Sequence, residues 1–160
     1  MAEWEFYTDE VLDAIRDGLG STVTVGGVEL PWVRKVEGPP LRWLNHPDDY
    51  PMVTIELSAA RHRSKGGVVE ISYPITVHMM LPAENTLGGA PYQELRRAGE
   101  GVLRAMLRQG FRLGLDVFSS WELVEHGTNN LLTDVTLDDG LGVYTARLVV
   151  LQHAPQVAAS

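Results

Sequence analysis

Two runs of alternating apolar and polar residues constrain this chain more than any other feature of its sequence. Apolar residues occupy every odd position of 53–57, and Val, Ile, Tyr or Met occupies every odd position of 69–79. A period of two predicts two long strands, each with one buried face. Pro74 falls inside the second run and has no N–H to donate, which predicts an edge position or a bulge there.

The segment between the two runs, Arg61 to Gly67, is polar and ends in two glycines. It is too basic to bury, so we expect the two strands to form a long hairpin with a projecting arm. His78 alternates with Val77 and Met79, and we expect it to face solvent or to form a hydrogen bond at an interface.

Two amphipathic helices and a tight turn are predicted elsewhere. Apolar residues recur at helical spacing from Tyr7 to Gly18 and from Pro91 to Gly110. Gly26-Gly27 separates the β-branched runs Thr22–Val25 and Val28–Leu30, which predicts a short hairpin.

The remaining segments are predicted to be a loop, three strands and a tail. Prolines and aromatic residues from Pro31 to Pro51 predict an ordered loop without regular strand pairing. Strands are predicted at Trp121–Glu125, Leu131–Leu137 and Val143–Leu151. Asp138-Asp139-Gly140 is a turn sequence that would join the last two in a closing hairpin. Residues 152–160 are expected to form a flexible C-terminal tail.

This order of elements favours one fold class. Strands and helices do not alternate regularly, which favours an α+β fold and disfavours a doubly wound parallel sheet. We expect a mainly antiparallel sheet with two helices packed on one face and a long projecting β-hairpin. A length of 160 residues, 44% of them hydrophobic, predicts a single domain over 1–151.

The charge balance excludes several classes of protein. Thirteen Lys and Arg residues stand against 21 Asp and Glu, a net charge of -8, which argues against a protein that coats nucleic acid or binds an anionic membrane.

The absence of Cys excludes disulfides and thiolate metal sites. No run approaches the roughly 20 apolar residues of a membrane span, and the N-terminus carries acids where a signal peptide carries bases, so we expect a soluble, unexported protein.

Motifs for catalysis or cofactor binding are not evident. The five histidines lack the i, i+4 spacing of a helical metal pair, and the glycine pairs lack the strand-to-helix context of a phosphate loop. We therefore predict no catalytic residue, cofactor or metal. The alternative is a small α+β enzyme or ligand-binding module with a pocket between sheet and helix. Its candidate residues are Trp32, Trp43, His46, Asp48 and Asp49.

The predicted layout resembles that of the tail terminator and related head–tail joining proteins of long-tailed bacteriophages. The segments that carry the resemblance are Val11–Ile15, Met52–Leu57, Tyr73–His78, Leu95–Leu107 and Tyr144–Leu148. The resemblance implies a non-enzymatic virion protein of the tail or neck, assembled in the host cytoplasm. It implies a ring, usually of six subunits, that caps the tail tube, stops its polymerisation and presents a surface to the head. The alternative within the family is a head-completion stopper.

The resemblance also implies partners and surfaces. The partners would be other copies of the chain, the tail tube protein and a head-completion protein, while DNA would pass through the ring without specific binding. The candidate subunit or tube interface comprises Arg61, Arg63, Lys65, Pro74 and His78. From charge alone, the candidate acids facing the channel of such a ring are Asp134, Asp138 and Asp139.

Overall fold

A computed structural model describes residues 6–38, 51–82, 90–109, 118–128 and 141–155. The elements within these ranges are α1 (Thr8–Gly18), β1 (Thr22–Val25), β2 (Val28–Pro31), β3 (Arg34–Glu37), β4 (Met52–Leu57), β5 (Arg61–Lys65), β6 (Val68–Pro82), α2 (Ala90–Gln109), β7 (Phe118–Thr128) and β8 (Leu141–Pro155). Both predicted helices and the β1–β2 hairpin are confirmed.

A six-stranded sheet forms the centre of the described structure. Its order is β3-β4-β6-β8-β7, and β5 lies beside β6 as well. β6 and β8 pair antiparallel along 15 residues each, from Val68 opposite Pro155 to Pro82 opposite Leu141. The pairing of β3 with β4 is parallel and the other pairings are antiparallel. The predicted α+β class with a mainly antiparallel sheet is therefore confirmed.

Both helices bury their apolar sides against one face of this sheet, here called the inner face. It is formed by the odd-numbered residues of β6 from Val69 to Leu81 and by the even-numbered residues of β8 from Tyr144 to Gln152, all of them buried. Val11, Leu12 and Ile15 of α1 and Leu95, Leu103 and Met106 of α2 belong to the same core cluster. The alternation in the sequence thus identified the buried face correctly.

Pro74 lies in the interior of the sheet, so the predicted edge position is wrong. It stands opposite Val149 of β8, while β4 and β5 follow one another along the other side of β6. Leu57 pairs with Ile75 and Arg61 with Ser72, so three residues on that side face two on β6. The alternative prediction, a bulge, describes this gap. Ser58 N–H donates to the Pro74 carbonyl across 2.9 Å, so the missing N–H of Pro74 falls at the break in the ladder.

The basic segment between the two long strands is itself a strand. β5 pairs with β6 from Arg61 opposite Ser72 to Lys65 opposite Val68, and Gly66 and Gly67 turn the chain with φ of 58° and 81°. Residues 61–64 are exposed, as their charge predicted. The segment therefore extends the sheet, and the projection of the hairpin stays a prediction.

Three further predictions from the sequence need correction. β3 lies within the segment predicted to lack strand pairing. β8 continues to Pro155, and its Gln152 is fully buried, so 152–155 belong to the sheet and not to a tail. β7 and β6 flank β8 from Tyr144 to His153, which leaves no side for the predicted closing hairpin with 131–137. Residues 131–137 themselves lie outside the described residues.

The second helix approaches β8 closely at two glycines. A Cβ at Gly99 would overlap the ring of Tyr144, and a Cβ at Gly142 would overlap the side chain of Leu95. Gly101, two residues further along α2, is exposed and has open space around it. Gly99 and Gly142 therefore set how close the helix comes to the sheet.

We expect Gly99→Ala to lower the free energy of unfolding by about 1–3 kcal/mol, because the added methyl group forces Tyr144 or the helix to move. The matched control is Gly101→Ala, which should raise it by about 0.5–1 kcal/mol through helix propensity alone. Urea unfolding followed by circular dichroism measures both. Equal effects of the two substitutions would show that α2 does not pack as described.

Two linked hydrogen bonds join the start of α1 to the sheet. The Tyr7 backbone N–H donates to the Tyr73 hydroxyl at 3.1 Å, and that hydroxyl donates to Gln152 Oε1 at 2.5 Å. Tyr73 and Gln152 are both fully buried, and burial raises the pKa of Tyr73. These hydrogen bonds satisfy polar groups that would otherwise destabilise the core.

We expect Tyr73→Phe to cost about 1–3 kcal/mol of unfolding free energy, because it removes the hydroxyl that accepts from the Tyr7 N–H and donates to Gln152 Oε1. Gln152→Met is the complementary single variant. The double variant should lose less than the sum of the two, which a double-mutant cycle in urea measures. Strict additivity would contradict the described hydrogen bonds.

Candidate functional site

The opposite face of the sheet, here called the outer face, carries the polar side chains. It is formed by the even-numbered residues of β6 and the odd-numbered residues of β8. Neither described helix packs on the outer face, because the core cluster that contains both helices lies on the inner face. Towards one end of the outer face Met52, Thr54, Met80 and Val143 are nevertheless buried. The middle is partly exposed and polar.

A groove of about 510 Å³ lies in this middle region. Neighbouring strands supply its walls in two cross-strand rows. The first row is Glu56, Thr76, Arg147 and Glu125, and the second contains His78, Thr145 and Gly127. Because the rows cross four strands, the groove depends on the register of β4, β6, β8 and β7.

His78 is the most buried ionisable residue of the groove, with 8% of its surface exposed. Its Nε2 lies 3.4 Å from Glu56 Oε2, and its Nδ1 lies 3.4 Å from Thr145 Oγ1. Burial lowers the pKa of His78, and the hydrogen bond and charge of Glu56 offset this only in part. The ring therefore favours its neutral form while it connects β4, β6 and β8.

The rim of the groove contains one further polar contact. Glu125 and Arg147 form an exposed ion pair at 3.1 Å between β7 and β8. On the inner face, the Tyr144 hydroxyl lies 2.5 Å from His126 Nδ1, and burial raises the pKa of Tyr144 to about 12. The Tyr144 hydroxyl thus keeps its proton at neutral pH and can donate a hydrogen bond to the imidazole.

The structure separates the predicted interface residues into three environments. Arg61 and Arg63 are exposed on β5, and Lys65 ends that strand. Pro74 is in the middle of the sheet, and His78 is buried in the groove, six residues along β6 from the partner of Arg61. They share one sheet without forming one local site. Asp134, Asp138 and Asp139 lie outside the described residues.

Sequence reasoning missed two contributors to the groove, Glu56 and Thr145. They contact a histidine that is 22 and 67 residues away, so no local spacing connects them. The alternation did contain a partial signal, since Thr54 and Glu56 mark the polar side of the first run. Only the strand order brings that side next to His78.

The alternative pocket predicted near Trp32 is largely outside the described residues, which exclude Trp43, His46, Asp48 and Asp49. Trp32 is described, and its Nε1 donates to the Leu19 carbonyl at the end of α1 across 3.3 Å. Trp32 therefore anchors the end of the first helix.

A second groove, of about 520 Å³, separates α2 from the β1–β2 hairpin. Glu94, Arg97, Ala98 and Gly101 of α2 line one wall. The other wall is mostly the backbone and small side chains of 18–27.

Within the described residues, no group of three or more His, Asp or Glu side chains is placed to hold a metal ion. In the same ranges, neither helix is long and apolar enough to cross a membrane. Comparison with known proteins finds no matching family model and no matching curated sequence.

The lowered pKa of His78 predicts a pH dependence of stability. In the unfolded chain its pKa returns towards 6.5, so the folded chain binds fewer protons below that pH. The contribution of His78 is complete above about pH 6.5 and is lost as the pH falls from there through the lowered folded-state pKa.

We expect His78→Gln to flatten the fall in unfolding free energy between neutral and mildly acidic pH, measured by urea unfolding at a series of pH values. His62→Gln, at an exposed position of β5, is the control and should keep the wild-type slope. If both variants keep that slope, the burial of His78 has no energetic consequence.

Proposed function

We propose that this chain is a ring-forming tail terminator of a long-tailed bacteriophage, which caps the completed tail tube and presents a surface for the head. The observation that carries the proposal is the open sheet. The helices cover its inner face, while its outer face is partly exposed, and the three strands at its edges, β3, β5 and β7, each have one partner strand among the described residues. Such a sheet offers both a face and two edges to other subunits.

The layout supports the same reading. A short first helix, a pair of long antiparallel strands, a second helix and a closing strand follow in the order that the resemblance requires. The closing strand β8 lies beside β6 in the middle of the sheet. Exposed strand edges satisfy their free backbone groups by adding a strand, and a closed ring provides one to each subunit.

The net charge suits a ring through which DNA passes. A net charge of -8 per chain repels the phosphate backbone on average, so DNA would slide and not adhere. The placement of Asp134, Asp138 and Asp139 towards the channel belongs to this proposal.

The test begins with the mass of the purified protein in solution. Light scattering after size-exclusion chromatography should give a ring-sized mass, which for six copies of the 17.7 kDa chain is 6 × 17.7 = 106 kDa. A monomer at every concentration tested, stabilised against heat by a small ligand, would favour the ligand-binding module instead.

A second experiment tests the function: the protein is added to tail tube protein from the same virus while the tubes polymerise. Electron microscopy should show shorter tubes with a ring at one end. Tubes of unchanged length, with the ring bound instead to head-side protein, would identify a stopper of the neck.

A further inference from the structure

Two of the strands at the edges of the sheet, β5 and β7, differ in charge. β5 contains Arg61, Arg63 and Lys65 and no acid, while β7 contains Glu122 and Glu125 and no Lys or Arg. Lys65 is one of only two lysines in a chain whose net charge is -8. The basic strand is therefore an exception to the composition, located at one edge.

The charges of both edges lie on the same face. Arg61 and Arg63 pair with Ser72 and Glu70 of β6, and Glu122 pairs with Val149 of β8, which places all three on the outer face. All three are exposed. Glu70, the neighbour of Arg63, already contacts His153 Nε2 at 2.9 Å. The two arginines are therefore accessible to an acidic partner.

The strand directions suit a head-to-tail contact. β5 is antiparallel to β6, β6 to β8 and β8 to β7, so β5 and β7 run in opposite directions within one chain. A rotation about an axis along the strands preserves those directions. It brings β5 of one copy against β7 of the next as an antiparallel pair, and repetition of such a heterologous contact closes a ring.

The register limits where the edges meet. Within one chain Arg61 is level with Ser120, because Arg61 pairs with Ser72, Ser72 with Leu151 and Leu151 with Ser120. If the next copy is shifted along the strands by two residues, about 7 Å, its Glu122 lies opposite Arg61 and its Ser120 lies opposite Arg63. Closed sheets require staggers of this kind. β7 bulges between Leu123 and Glu125, so its regular part ends just after Glu122 and matches the five residues of β5.

We propose that β5 of one copy adds to β7 of the next, with Arg61 opposite Glu122 and Arg63 diagonal to it, and that this contact joins the ring. The proposal rests on the proposed function and names the surfaces by which the chain binds itself. The other role of charges and bulges on edge strands is to prevent association, and the experiment decides between the two.

The experiment uses two full-length variants with reversed charge. In Arg61→Glu/Arg63→Glu both edges are acidic, and in Glu122→Arg both lack acid at the contact. Each alone should need about tenfold or more higher concentration to form the ring. Mixed in equal amounts, they present acid to base at every contact, so rings should return with the two variants alternating. Light scattering measures the mass, and circular dichroism checks the fold.

Matched controls carry the same charge changes elsewhere. Arg104→Glu/Arg108→Glu alters the exposed side of α2, and Glu29→Arg alters β2. Both should assemble like the wild type, and mixing them should change nothing. A single chain that combines Arg61→Glu, Arg63→Glu and Glu122→Arg should also form the ring by itself.

Several outcomes overturn the proposal. Wild-type-like rings from both variants would place the contact elsewhere and leave the proposed function intact. Loss of rings without recovery on mixing would show that these edges do not pair with each other. A monomeric wild type would assign the charges to protection of the edges and would overturn the proposed ring as well. Recovery on mixing supports the contact, and recovered rings that fail to stop tail tubes would refute only the proposed function.

Discussion

The ladder between β6 and β8 is the interaction on which the rest of the structure depends. It joins 15 residues of each strand and leaves β6 a free side for β4 and β5 and β8 a free side for β7. Its inner side chains receive both helices. The Tyr73 hydroxyl accepts a hydrogen bond from the Tyr7 N–H at the start of α1 and donates one to Gln152 of the facing strand. The approach of α2 depends on the ladder too, because the Tyr144 ring occupies the space left by Gly99.

Pro74 shows how a central strand accepts a residue that cannot donate. Its carbonyl and its ring nitrogen face the side on which β4 ends and β5 has not begun, so no ladder bond with β8 is lost. The extra residue between Leu57 and Arg61 absorbs the mismatch. On the outer face, the break at Pro74 lies between the polar groove and the basic strand β5.

Much of the fold was predictable because periodicity reports burial directly. The odd positions of 69–79 were assigned to the core and are buried there. β3 was missed because its four residues lie among prolines, and its stability comes from β4 and not from its own pattern. The closing hairpin was wrongly predicted because the Asp-Gly turn is a local signal, whereas the neighbours of β8 are set by distant strands. The groove depends on the same long-range register, so neither Glu56 nor Thr145 was predictable.

The environment of His78 separates a positioning role from a chemical one. A general base needs a ring nitrogen that faces its substrate, yet Nε2 of His78 faces Glu56 and Nδ1 faces Thr145. Each partner lies on a different neighbouring strand, so the ring connects β4, β6 and β8 across the outer face. Burial disfavours the charged form of the ring, so near neutral pH a neutral imidazole makes this connection. A histidine held in this way stabilises the register of the strands, and the edges at β5 and β7 keep their relative positions only if that register holds.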